Sequence, residues 1–422
     1  MVKNLGKRFL PLAVALIFAV LLFMVWQTNV AFTSLSYSSA EQVQEWRHQI
    51  EEQLSSSLQQ SSPSQAVSLR TSSTESFVEV KDVASYQAAT GRLDRVYCMI
   101  PTMYEASRLR LWSAILKTYG SRCDIIKFFV DPSTKNETIP ATFQPKGSPI
   151  SAEIVVVPMR RRGGICADGK PCRHIWEKVW RSWLHVFMHD LNKAEWFVKV
   201  DDDTYFLPSN LRKFVREKQW AHDDPHYFGY LENIERPPYR LVSGVCTTFS
   251  RGAISRLGSR VEFMKSEYGP RSNFPNSHGA CVDRDGATEE LVTSKCLSEV
   301  GVYAEDALED GTREYVIPLG IPFTLTHQHR PGSKSWFWKG KTATRGVMRD
   351  CCSAHAWGIH GYKHPDRMFE MEGMMTGTSR EEILRLRDHQ EPGTLEWEQF
   401  DYVHRMRVAI ANDRYAYPPM SV

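Results

Sequence analysis

The sequence predicts an α/β fold: a mostly parallel central sheet flanked by helices, carried behind a transmembrane helix and a flexible stem. Three observations predict it. From residue 94 onward, short apolar runs alternate with stretches of helical spacing. An uncharged apolar run near the amino terminus is followed by a Ser/Gln-rich segment. All nine cysteines lie beyond that run.

The first residues carry Lys3, Lys7 and Arg8, and residues 9–26 hold no charge. That run is at the short end of the roughly 17–25 residues a spanning helix needs. It is longer than a usual signal core, and no clean small-x-small cleavage site follows, which favours an anchor over a cleaved signal peptide. The basic residues ahead of it keep the amino end in the cytosol. The expected order is a cytoplasmic tail (1–8), an anchor (9–26) and a lumenal stem (27–93). Within the stem, residues 40–54 have a short helical pattern. Residues 55–76 hold too few large apolar side chains to fold.

The folded unit is expected over residues 94–365. Strands are predicted at 95–100, 124–130, 153–157 and 196–200. Residues 104–119 read as a helix with Leu109, Trp112, Ile115 and Leu116 on one face. Residues 175–191 read as a longer amphipathic helix through Trp176, Val179, Trp180, Trp183, Phe187 and Leu191. An extension, 366–422, holds a capped, charged helix from about Ser379 and then irregular chain. The chain has 422 residues, 42% of them hydrophobic, enough for a large core. Its formal net charge of +3 gives no reason to expect nucleic acid.

The cysteines are Cys98, Cys123, Cys166, Cys172, Cys246, Cys281, Cys296, Cys351 and Cys352. Their spacing does not supply the paired ligands of a zinc site, so disulfides of an oxidising compartment are expected, with one thiol left over. The sequon at Asn136 is usable in such a compartment.

The strand at 196–200 runs directly into Asp201, Asp202 and Asp203. Adjacent carboxylates at the carboxyl end of a central strand repel one another unless a cation or solvent neutralises them. That strand end is also where open α/β sheets bind ligands. Carboxylate oxygens suit Mn²⁺ or Mg²⁺, and such an ion stabilises a diphosphate as a leaving group. Without further context, a solvated acidic turn explains a bare triplet better.

The context is a series of matches in order. Residues 178–205, ending in Asp201, Asp202, Asp203, Thr204 and Tyr205, resemble the segment of the core 1 β1,3-galactosyltransferase family that ends in its acidic triplet. Asn210, Leu211 and Arg212 match next, then Tyr227, Phe228 and Gly229. Glu289 and Glu290 precede Cys296 as the family's acidic pair precedes a cysteine. Trp336, Phe337 and Trp338 match its aromatic triplet. Cys351, Cys352, Ser353 and the following His360 match its Cys-Cys-Ser run and histidine. The resemblance spans about residues 96–362, and its specificity lies in the ordered set.

The resemblance implies a GT-A-type nucleotide-sugar-binding fold. It implies an inverting, Mn²⁺-dependent transfer of galactose from a UDP-sugar, UDP-galactose, to O-linked N-acetylgalactosamine on a glycoprotein acceptor. It implies a single-pass type II protein of the Golgi or ER–Golgi membrane with its head in the lumen, and a possible homodimer. Asp201, Asp203 and His360 are then the metal ligands, with Asp201, Asp202 and Asp203 facing the donor and Asp202 its ribose. Glu290 is the base, with Glu289 as the alternative. Glu290 stands where the family usually has Asp, and its extra methylene lengthens the reach by about 1.5 Å. Trp336 and Trp338 are acceptor-stacking candidates, with core packing the competing reading. Proximity and the resemblance pair Cys98 with Cys123, Cys166 with Cys172 and Cys281 with Cys296.

The chain also departs from the family. The Gly-Gly-Ala-Gly turn is replaced by Val242, Ser243, Gly244, Val245 and Cys246. Two other functions stay open: a Fringe-like β1,3-N-acetylglucosaminyltransferase, and a non-catalytic secretory chaperone or lectin. The intact triplet argues against the second.

Overall fold

The computed structural model describes residues 94–132, 138–159, 174–232, 240–267, 289–326 and 350–411, with side chains described only to Ser259 in the fourth segment. The expected tail, anchor and stem lie outside these residues, as do Asn136, Cys166, Cys172, Cys281, Trp336 and Trp338. No helix among the described residues is long and apolar enough to cross a membrane.

The central sheet has eight strands. In chain order they are β1 (Val96–Thr102), β2 (Ile125–Val130), β3 (Thr142–Phe143), β4 (Ala152–Val156), β5 (Trp196–Val200), β7 (Tyr227–Gly229), β10 (Cys246–Ser250) and β11 (Ala304–Asp306). Three short strands lie outside it: β6 (Thr204–Phe206), β8 (Leu231–Glu232) and β9 (Leu241–Val242). The spatial order is β11-β7-β10-β5-β1-β2-β4-β3. Strands β5, β1, β2 and β4 form a parallel centre. β10 and β3 flank it antiparallel, so the sheet is mixed around a parallel core.

Period-two alternation explains why both faces are covered. Val96, Cys98 and Ile100 of β1 enter one hydrophobic cluster, and Tyr97 and Met99 enter the other. Helix α1 (Ala106–Lys117) covers the first face, where Trp112 stacks on Phe128 at 4.3 Å. Helix α2 (Ile175–His185) covers the second with Trp176, Val179, Trp180 and Trp183. The predicted helix over 175–191 is shorter than expected: residues 186–190 widen into a π turn. Asp190, fully buried, takes a hydrogen bond from Tyr97 and ion pairs with Lys127 and Lys193 there, and Phe187 and Leu191 are only partly buried.

Helices α3 (Pro208–Glu217), α4 (Arg251–Glu267) and α5 (Glu289–Glu299) follow. Hairpin β12–β13 (Leu308–Glu309, Arg313–Glu314), strand β14 (Val316–Ile317), helix α6 (Ile321–Thr326) and strand β15 (Gly358–His360) come next. A small sheet, β14-β15-β6, stands beside the large one. Beyond it, α7 (Pro365–Glu372), α8 (Arg380–Asp388) and α9 (Leu395–Ala411) close the described chain. The Ser379 hydroxyl caps α8 by accepting from the Glu382 amide. The irregular chain expected after it is instead the 17-residue α9. Tyr402, Val403, Met406 and Ile410 bury its apolar face in the same cluster as β1, which is why it is ordered.

Cys98 and Cys123 are bonded, tying β1 to the chain just before β2. Cys351 and Cys352 are bonded to each other, a pairing of adjacent residues that their spacing does not advertise. Cys296 is also disulfide-bonded. Cys246 is a buried free thiol.

Candidate active site

The last residue of β5 is Val200, and the chain turns at once. The Asp201 carbonyl accepts from the Thr204 amide at 3.0 Å, closing a tight turn that leads into β6. The turn sends the triplet's carboxylates in three directions. Asp201 faces Lys199 at 3.0 Å, Asp202 faces Thr102 and Arg108, and Asp203 faces His360.

β6 explains how His360 arrives. β15 pairs antiparallel with β6 in a register that sets His360 opposite Thr204. The Gly361 and Tyr362 amides then donate to the Asp203 carbonyl at 3.1 and 2.8 Å. His360 Nε2 lies 3.1 Å from Asp203 Oδ1, and its Nδ1 lies 2.8 Å from the Pro318 carbonyl. Ligand atoms of Asp201, Asp203 and His360 lie within 4.8 Å of one another.

The electrostatics divide the triplet. Burial pushes the Asp201 carboxyl up, and the Lys199 ammonium only partly offsets it. Burial also pushes Asp202 up, against the Thr102 hydroxyl and Arg108. For Asp203 burial acts in the same sense, but the His360 hydrogen bond and charge outweigh it and hold the carboxyl below its ordinary value. His360 is the converse: burial works to lower it, and Asp203 raises it above an ordinary histidine.

Glu289 and Glu290 open α5, and the structure separates their environments. Glu289 is 4% exposed. Its Oε2 lies 3.2 Å from Lys199 Nζ, and Thr293 donates to its Oε1 at 3.3 Å. Burial lifts its carboxyl to about 7, against Lys199. Glu290 is only partly buried and lies against Gly244, where an added Cβ would collide with Glu290 Oε1. Gly244 is what remains of the glycine-rich turn, between β9 and β10, and its bare Cα is what admits the Glu290 carboxylate.

Sequence reasoning missed several residues here. Arg108 holds Asp202 at 2.8 Å, and Thr102 holds its other oxygen. Lys199 contacts both Asp201 and Glu289. Glu232, at the end of β8, is 7% exposed and is pushed up to about 7 by burial and then by the charge of Glu290, against a hydrogen bond from Ser243. The only sequence signal for Lys199 is a charge inside an otherwise apolar strand.

The donor set fits a divalent ion. Two carboxylates and an imidazole can together ligate a divalent transition-metal ion. The Nδ1–H donated to a carbonyl orients the ring and leaves Nε2 to ligate.

The chain is 27% identical over 197 residues to glycoprotein-N-acetylgalactosamine 3-beta-galactosyltransferase 1 of Xenopus laevis, across 47% of this chain and 49% of that relative. The resemblance read from the motifs is borne out. The chain spans about half the length of the curated relative it matches. No protein-family model matches. Among solved structures it is similar to the galactosyltransferase LgtC in complex with donor and acceptor sugar analogs: 12% identity, 68% of this chain, 98% of that one, TM-score 0.33. A glycosyltransferase involved in glycosylation of the major capsid of PBCV-1 aligns at 11% identity over 66% of this chain and 98% of that one, TM-score 0.30. These TM-scores are too low to assign a fold by themselves.

Proposed function

We propose that this chain is an inverting, metal-dependent β1,3-galactosyltransferase of GT-A type. It moves galactose from UDP-galactose to the 3-hydroxyl of O-linked N-acetylgalactosamine on glycoproteins. The observation that carries the reading is the convergence of Asp201, Asp203 and His360 at the carboxyl end of β5. The similarity to a galactosyltransferase supports the donor and acceptor classes.

Asp201, Asp203 and His360 would hold Mn²⁺, which when bound neutralises the diphosphate leaving group. Asp202, fixed by Thr102 and Arg108, lines the ribose side of the donor. Inversion requires a base opposite the leaving group to take the proton of the acceptor hydroxyl. Glu290 is that base. Glu289 is committed to Lys199 and Thr293 and is buried, so it supports the wall and takes no proton from the acceptor. The bonded pair Cys98–Cys123 supports a lumenal head, consistent with a Golgi-type anchor at residues 9–26.

The test is to incubate the detergent-solubilised full chain with Mn²⁺, a panel of UDP-sugars and, in separate reactions, an aryl α-N-acetylgalactosaminide or an aryl fucoside, and to read the product mass. A hexose added from UDP-galactose is the expected result. Transfer of N-acetylhexosamine to a fucoside instead would support the Fringe-like reading. No UDP release with any acceptor would support the chaperone or lectin reading.

A further inference from the structure

We infer that Lys199 is a positioning residue: a buried ammonium strut that fixes the metal-facing carboxylate of Asp201 against the wall that carries Glu290. This rests on the proposed function for its kinetic consequences, and on geometry alone for its effect on metal binding.

The position is an unlikely home for a charge. Along β5, Trp196, Val198 and Val200 enter one hydrophobic cluster, while Phe197 enters the other. Alternation turns Lys199 toward the face of Phe197, where an apolar side chain would be expected. Its side chain is only 3% exposed. Burying an unpaired ammonium is strongly unfavourable, so its partners must account for it.

They do so completely. An ammonium has three donors. Lys199 Nζ has three acceptors: Asp201 Oδ1 at 3.0 Å, Glu289 Oε2 at 3.2 Å and the Gly244 carbonyl at 2.5 Å. They come from the triplet turn after β5, the first residue of α5 and the turn between β9 and β10. One side chain thus joins the metal face to both elements that flank Glu290. The compact ammonium matters, because a Cβ at Gly244 would already stand 2.9 Å from Nζ. A planar guanidinium has no room for the same three contacts.

The consequence is mechanical. Glu289 is buried and Asp201 partly so, and both carboxylates approach the same ammonium, so they repel each other without that shared cation. Removing Lys199 frees Asp201 to turn from the ion and lets the start of α5, with Glu290, move off the acceptor. Glu289 then acts on the metal only through Lys199.

The test is a double-mutant cycle in the full chain with Lys199→Met, Glu289→Gln and the combination, reading direct Mn²⁺ binding by electron paramagnetic resonance and, in parallel, kcat. Lys199→Met should weaken Mn²⁺ binding at least tenfold and lower kcat at least a hundredfold. Glu289→Gln should weaken Mn²⁺ binding threefold or more, although Glu289 is no ligand. In the Lys199→Met background, adding Glu289→Gln should change neither quantity by more than twofold.

Multiplying effects in the double variant would overturn the strut, since that is what two independent charges near an ion give. Unchanged or tighter Mn²⁺ binding in Lys199→Met would overturn it too. If Lys199→Met shows no cooperative thermal melt, Glu289→Gln decides alone: unchanged Mn²⁺ binding by a normally melting protein refutes the inference. A chain that binds Mn²⁺ but transfers no sugar defeats the proposed function and leaves these binding arms intact.

Discussion

His360 Nε2 and Asp203 Oδ1 stand 3.1 Å apart, held by the register of two short strands. The atoms that share a proton across that gap are the atoms that would ligate an ion. Proton and metal therefore compete for one place.

That competition sets a pH dependence. Burial lowers His360, but Asp203 raises it above the ordinary histidine value, so the proton persists toward neutrality. Mn²⁺ binding should weaken as pH falls from 8 to 5.5 and strengthen as pH rises through the raised histidine value. His360→Ala should bind more weakly and lose most of that dependence. Equal affinities for the unaltered chain at both pH values would exclude His360 from the metal shell.

The base assignment makes a different demand. Glu290→Gln keeps shape and removes the proton acceptor, so kcat should fall by about 10²–10⁴-fold. Binding of UDP with Mn²⁺ should change little, because Glu290 lies against Gly244 and outside the Asp201, Asp203 and His360 cluster. Steady-state kinetics and UDP titration separate the two. A loss of UDP affinity as large as the loss of turnover would move the base elsewhere.

Much of this site was legible before any coordinates. The strand at 196–200 and its triplet are readable because apolar runs and acidic clusters are local signals. Asp201, Asp203 and His360 could be named by resemblance, but their meeting depends on β6 pairing with β15, and strand pairing over long separations leaves no local pattern. Lys199 was visible only as a charge inside an apolar strand, since burial on a sheet face is a tertiary fact. The Cys351–Cys352 bond and helix α9 escaped for related reasons. Adjacent cysteines have no spacing signal, and α9 is stabilised by packing against the β1 face of the core.

The carboxyl-terminal helices can be tested for their part in the fold. Glu372 of α7 takes both Arg122 guanidinium nitrogens at 2.8 Å and the Tyr205 hydroxyl at 2.6 Å. Tyr205 lies in β6, so this network ties the extension to the strand that carries the triplet turn. Glu372→Gln leaves the largely buried Arg122 guanidinium without its countercharge, with only the Tyr205 hydroxyl beside it, and should destabilise by about 2–3 kcal/mol in urea unfolding at pH 7. Burial raises Glu372, but Arg122 outweighs it and holds the carboxyl below its ordinary value. The stabilisation is therefore present above the unfolded carboxyl value and lost as pH falls through the folded one. The gap between variant and parent should narrow near pH 3.

Glu232 carries the opposite sign. Burial first, and the Glu290 charge second, push its carboxyl from 4.5 to about 7 in the folded chain. A folded value above the unfolded one means stability is full below pH 4.5 and lost as pH rises through 7. The corresponding penalty at pH 8 is about 3 kcal/mol. Glu232→Gln cannot ionise, so it should unfold at higher urea than the parent at pH 8 and at the same urea near pH 4.5. The Ser243 hydroxyl can donate to the amide oxygen as it does to the carboxylate, so the substitution keeps that contact. A variant no more stable than the parent at pH 8 would mean that Glu232 ionises in the folded chain as readily as in the unfolded one.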